Sequence, residues 1–148
     1  QVDAAIAVHP VLQSAIRVGE TEKADAFASA DLALACSGTV VTELATAGVP
    51  TITGYKLGWI TWGLVRAFNL LKTPHISLVN IAADARLVPE IIQLKCTGKV
   101  LADEVERLLA DPGRRAELSV RLQAVTSEMR GSGQASRRAA EAVLAGLD

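Results

Sequence analysis

Ser37, Gly38 and Thr39 interrupt an apolar, alanine-rich stretch, and Glu43 is the one acid in "CSGTVVTELATAGVPTITGY", which contains no base. The preceding run "DLALAC" reads as a buried strand, and the residues from about Thr39 to Ala47 as a helix, so the triplet falls where a strand hands over to a helix. In an open α/β sheet that is the ligand-binding edge. The first N–H groups of such a helix have no intrahelical acceptor, and its dipole favours an anion. Gly38 allows a close approach or a non-helical backbone angle, and the hydroxyls of Ser37 and Thr39 can donate to phosphate oxygens. Glu43 lies four residues after Thr39, on the same face one turn deeper. A carboxylate there is a poor phosphate ligand and a good acceptor for paired sugar hydroxyls. A diphosphate at the helix start and a ribose held by Glu43 together describe a nucleoside diphosphate. The residues equally admit a structural reading, with Ser37 as a cap, Gly38 as a turn and Glu43 as a solvated helix former. Glu43 is not a capping-box acid, because that position is Val40.

The other reactive side chains are isolated. His9 precedes Pro10, and His75 opens "HISLV"; neither has a partner at motif spacing, and both are assigned structural or surface roles. Cys36 and Cys96 form no CxxC and stand near no histidine at ligand spacing, so no metal site is expected and reduced thiols are the plain reading. In "KLGWITWGLVRAFNLLK", Trp59, Trp62 and Arg66 fall near one helical face. An amphipathic packing helix accounts for that spacing, and so does a surface that meets acyl chains or a bilayer.

These groups need a scaffold, and the pattern describes one. "AAIAV" (residues 4–8), "DLALAC", "TITGY" and "HISLV" are short apolar runs read as strands, with "AIRV" as an abbreviated fifth or as the sign of a missing connection. A brief helical piece follows Pro10, and helices fit "ETEKADAFASA", the stretch after Thr39 and the tryptophan segment. Gly48-Val49-Pro50 stops the second of these. From Leu87 onward the chain reads as helical throughout, in "LVPEIIQ", "GKVLADEVERLLA", "DPGRRAELSVRLQAVTSEMR" and "SGQASRRAAEAVLAGL". Short, continuously apolar strands alternating with helices imply an α/β fold, a parallel sheet flanked by helices, with a helical C-terminal third.

The 148 residues suit one domain, and half of them are apolar. Residues 1–130 are expected to form the α/β unit and 131–148 its last helix. A net charge of −1 gives no broad field for nucleic acid. No run reaches membrane-spanning length, and residues 1–20 lack a signal-peptide pattern, so a cytoplasmic or peripheral protein is expected. The chain opens on Gln1, almost at once in an apolar run, as though inside a larger protein.

"EKADAFASADLALACSGTVVTELATAGVPTITGYKL", then "ISLVN", then "LVPEIIQ" resemble the C-terminal half of lipid-A-disaccharide synthase, a glycosyltransferase family of GT-B fold. The resemblance runs unbroken from about Glu20 to Leu109 and more loosely to the end. It implies a Rossmann-like domain in which Ser37, Gly38 and Thr39 meet the diphosphate of a UDP-sugar and Glu43 the uridine ribose. Tyr55, Asn80, Glu90 and Gln93 would line the donor-sugar side of the cleft. The family joins UDP-2,3-diacylglucosamine to 2,3-diacylglucosamine 1-phosphate and releases UDP, with no cofactor or metal. Val79 stands where the family has a proline, and Asp84-Ala85-Arg86 where it usually has Gly-Arg-Glu. The general base and the acceptor pocket are expected from the family's N-terminal domain, so this chain alone is expected to be inactive. The same residues leave open another UDP-sugar transferase or epimerase, or a non-catalytic interaction domain of the same fold.

Overall fold

A computed structural model describes residues 2–36, 38–59, 62–63, 74–131 and 135–145. Its centre is a three-stranded sheet of β1 (Ala33–Cys36), β2 (Thr51–Tyr55) and β3 (Glu90–Ile92), in the order β1-β2-β3. Both pairings are parallel, with Ala33 opposite Thr51 in one and Thr53 opposite Glu90 in the other. β2 is therefore central, and Thr51, Ile52 and Thr53 are buried. The expected α/β class holds.

Parallel neighbours require crossovers, and helices supply them. The helix α3 (Thr39–Thr46) joins β1 to β2, and α4 (Leu78–Ala83) lies between β2 and β3. Val41 and Ala45 of α3 and Val79 of α4 pack with Leu87, Val88 and Leu122 into one buried cluster, which Ala35 of β1 joins. The opposite face of the sheet carries Ile52 and Ile91, which share a side by the period-two rule. They pack with Leu108 of α5 (Gly98–Leu109) and Leu118 of α6 (Pro112–Arg130). Gly54 lies on this face, where an added Cβ would sit 3.3 Å from Cys96 Sγ and from Leu101 Cδ2. The long α6 begins as expected, with Asp111 accepting from the Arg114 N–H at 2.8 Å and Pro112 in the first turn. It touches α3, α4 and α5, and Gly48, at φ +75°, passes so close that a Cβ would come within 2.8 Å of Ser119 Oγ. The last helix, α7, spans Ala135–Ala145.

Five expected elements are revised. "AAIAV" is not a strand but part of α1 (Val2–Val8), where its alanines favour helix and no described strand is beside it to pair with. A 3₁₀ turn at Pro10–Ser14 follows, and "AIRV" takes no regular form, with Ile16 89% exposed. "HISLV" is not a strand, because Ser77 caps a helix there, accepting from the Asn80 N–H at 3.3 Å. "LVPEIIQ" is not a helix: Pro89 cannot sit inside one, and the β-branched Ile91 and Ile92 complete β3 beside β2. The expected helix over "ETEKADAFASA" is a 3₁₀ turn at Glu20–Glu22 running into α2 (Lys23–Ala28). Most of the tryptophan helix, including Arg66, lies outside the described residues.

Candidate nucleotide site

All three strands end on the same edge of the sheet, and each is followed by residues with something to offer a ligand. After β1 the chain passes Ser37, which is outside the described residues, and reaches Gly38 at φ 145°, ψ −162°. That conformation belongs almost exclusively to glycine. Gly38 is the N-cap of α3 and supplies no side-chain cap, Thr39 is exposed in the first turn, and no atom would lie within 4 Å of a Cβ on Gly38. A helix start with free N–H groups, a backbone a ligand can approach and an exposed hydroxyl is what an anion needs.

Glu43 follows one turn along α3, its side chain 47% exposed. Its carboxylate is not alone. Lys23, the first residue of α2, places Nζ 3.1 Å from Glu43 Oε2 and 2.5 Å from Glu20 Oε1. The hydrogen bond to Glu20, then that to Glu43, raise the Lys23 pKa above the ordinary lysine value of 10.5. The ammonium is thus charged at neutral pH, and what its pairing contributes is present below the ordinary lysine value and lost as pH rises through the raised one. Glu20, Lys23, Phe27, Thr42, Glu43 and Thr46 are among the residues lining a cavity of about 430 Å³ between α2 and α3. Spacing alone missed Lys23; its i, i+3 pairing with Glu20 is legible in sequence, but its reach to α3 is set by the packing of two helices.

Asn80 turns inward, and the half-buried Glu90 joins it while also lining a cavity. Asn80 is fully buried: its Oδ1 accepts from the N–H groups of Leu87 (2.9 Å) and Val88 (2.8 Å), and its Nδ2 donates to the Val88 carbonyl (2.8 Å) and to Glu90 Oε1 (3.0 Å). The same Glu90 oxygen accepts from the Ser77 N–H at 2.7 Å and the Ile76 N–H at 3.1 Å. The carboxylate therefore sits at the start of α4. Gln93, at φ +54°, holds the loop after β2: its Oε1 accepts from the Leu57 N–H at 2.7 Å, and its Nε2 donates to the Leu57 carbonyl at 3.4 Å. Tyr55, half-buried, ends β2 beside that loop. His75 is half-buried at a separate cavity of about 480 Å³ that it lines with Arg86, Glu90 and Lys95. Trp59 is 75% exposed, as is Leu94, and both line a small cavity with Lys56, Leu57 and Gln93. Trp62 is half-buried. Among the described residues no cluster of His, Cys, Asp and Glu could hold a metal, and no helix is long and apolar enough to cross a membrane.

A family model described as lipid-A-disaccharide synthetase matches residues 6–144. Among curated relatives, the lipid-A-disaccharide synthase of Rhodospirillum centenum is 44% identical over 131 residues, covering 86% of this chain and 31% of that protein. The enzyme of the same name from Solibacter usitatus is 43% identical over 88% of the chain and 34% of its own length. That from Sodalis glossinidius is 36% identical over 95% and 35%. The chain spans about a third of the length of these relatives.

The buried amide of Asn80 makes a clear demand. Asn80→Ala strands the buried N–H and C=O of Val88, while the Leu87 N–H keeps the Ala85 carbonyl, and is expected to lower unfolding stability by about 2–3 kcal/mol. Asn80→Asp sets a second carboxylate against Glu90, and part of its loss should return on acidification as one of the two is protonated. Chemical denaturation at pH 7 and pH 5 checks both; two variants as stable as the parent would contradict the network.

Proposed function

Since this chain belongs to the lipid-A-disaccharide synthetase family, we propose that it is the UDP-sugar-binding domain of a glycosyltransferase that joins UDP-2,3-diacylglucosamine to 2,3-diacylglucosamine 1-phosphate and releases UDP. The observation that carries the reading is the Gly38 turn opening α3, with Glu43 one turn further on an exposed face. Ser37, Gly38 and Thr39 take the diphosphate, where the helix dipole and N–H groups stabilise the charge that develops as UDP leaves. Glu43 accepts the ribose hydroxyls. Tyr55 and Gln93 border the donor sugar, and Asn80 and Glu90 support that wall from behind, because their polar atoms face each other and the backbone. Residues 1–130 together with 131–148, which include α7, act as one donor-binding domain. The general base and the acceptor site come from an N-terminal domain such as the rest of the relatives' length would provide.

The substrates' acyl chains give meaning to the exposed Trp59, which with Leu94 forms an apolar spot next to Lys56. This spot meets lipid at the membrane surface of the cytoplasm, the role that helical spacing also offers Trp62 and Arg66, of which Arg66 lies outside the described residues.

Titration calorimetry tests the nucleotide assignment. Glu43→Gln keeps shape and loses a charge-assisted acceptor, so UDP and uridine should both weaken by about 1–3 kcal/mol while pyrophosphate binding stays unchanged. Equal weakening of all three ligands would count against a ribose role. For the lipid contact, Trp59→Ser is expected to lower binding to anionic phospholipid vesicles with little change in thermal midpoint, since the ring is mostly in solvent. A large drop in midpoint with unaltered vesicle binding would assign the ring to packing.

A further inference from the structure

The Glu43 carboxylate is met by an ammonium from another helix. Lys23 bridges two acids, Glu20 within its own helical segment and Glu43 on α3. Its side chain is two-thirds buried, whereas the side chain of Glu20 is 84% exposed. An exposed pair on one helix turn is worth little, and a glutamate with half its surface in solvent samples several rotamers. The bridge to α3 differs because it spans two elements and ends on the one carboxylate in the stretch that opens with the phosphate turn.

We propose that Lys23 is a positioning residue for the nucleotide, holding the Glu43 carboxylate in the orientation that receives the ribose hydroxyls; this rests on the UDP-binding reading above. The geometry leaves room for both partners. Lys23 contacts Glu43 through Oε2, and a carboxylate offers about four acceptor positions, so Oε1 and the remaining lone pair on Oε2 stay open to a diol. The ammonium has three donors, two of which point to Glu20 and Glu43. An orientation fixed before the ligand arrives need not be paid for on binding. The site thus extends beyond the turn and α3 to the start of α2, and Glu20 fixes Lys23 in turn.

A double-mutant cycle with the 148-residue chain, read by chemical-shift titration with UDP and with pyrophosphate, tests this. Lys23→Met should weaken UDP by about threefold to tenfold, leave pyrophosphate unchanged, and add almost nothing in a Glu43→Gln background, since coupled residues are non-additive. Lys23→Arg, which keeps the charge, should restore most of the UDP affinity, and thermal midpoints establish that each variant is folded. Unchanged UDP affinity in Lys23→Met overturns the proposal. So does equal weakening of UDP and pyrophosphate, which would make Lys23 a direct phosphate contact, and so does full additivity with Glu43→Gln. If the unmodified chain binds no UDP, the nucleotide reading itself fails and this inference falls with it; if it binds UDP and only the cycle fails, the nucleotide reading stands.

Discussion

Parallel pairing about β2 is the constraint from which the rest of the molecule follows. With Cys36 opposite Gly54 and Tyr55 opposite Ile92, the three strands finish together on one edge. Antiparallel pairing would have sent the Tyr55 end of β2 to the edge opposite the Gly38 turn and the Gln93 loop. Because the strands are parallel, each must be followed by a crossover, and the crossover after β1 starts within two residues of the strand's end, at Gly38. The N-terminus of α3 thereby lies at the sheet edge where β2 ends at Tyr55 and β3 gives way to Gln93. In open α/β sheets this edge is where ligands bind, so the proposed site follows from topology before it follows from any side chain.

The third strand is short, and a three-residue edge strand holds poorly by backbone pairing alone. Its anchor is polar. Asn80 bonds to the backbone just ahead of β3, while Glu90, the strand's first residue, bonds to the backbone at the start of α4. Strand and helix are locked by the buried Asn80 and the half-buried Glu90, which satisfy each other and the nearby backbone. The same lock carries Gln93 to its place beneath Leu57, so the loop after β2 is shaped from β3. In this arrangement Asn80 and Glu90 tie α4 to β3.

What sequence could show is bounded by the range of the interactions involved. The strand in "DLALAC", the helix start at Gly38 and Thr39, "TITGY" and the Asp111-Pro112 helix start are set by local pattern and appear where local reasoning puts them, but β1 is not the buried strand expected: it lies at the sheet edge, where Leu34 is 55% exposed. "LVPEIIQ" and "HISLV" exchanged their expected forms because the deciding contacts are distant: Ile91 becomes a strand residue by pairing with β2, and the helix at Leu78 is held by Glu90, which follows it in sequence. Glu43 was legible as an unexplained acid on an apolar helix. Lys23 was not legible as its partner, since only the packing of α2 on α3 joins them. The role of Gln93 in pinning Leu57 was hidden for the same reason, while the motif that contains it was plain.

The most direct test of the central claim is a map of backbone amide shifts during titration of the chain with UDP. The account predicts saturable changes concentrated at Gly38, Thr39 and the first turns of α3, with Lys23 and the Leu57 loop responding and the far end of α6 silent. Saturation with the changes centred elsewhere, for example on the cavity lined by Arg86, Arg107 and Arg114, would contradict it, as would the absence of any saturable response.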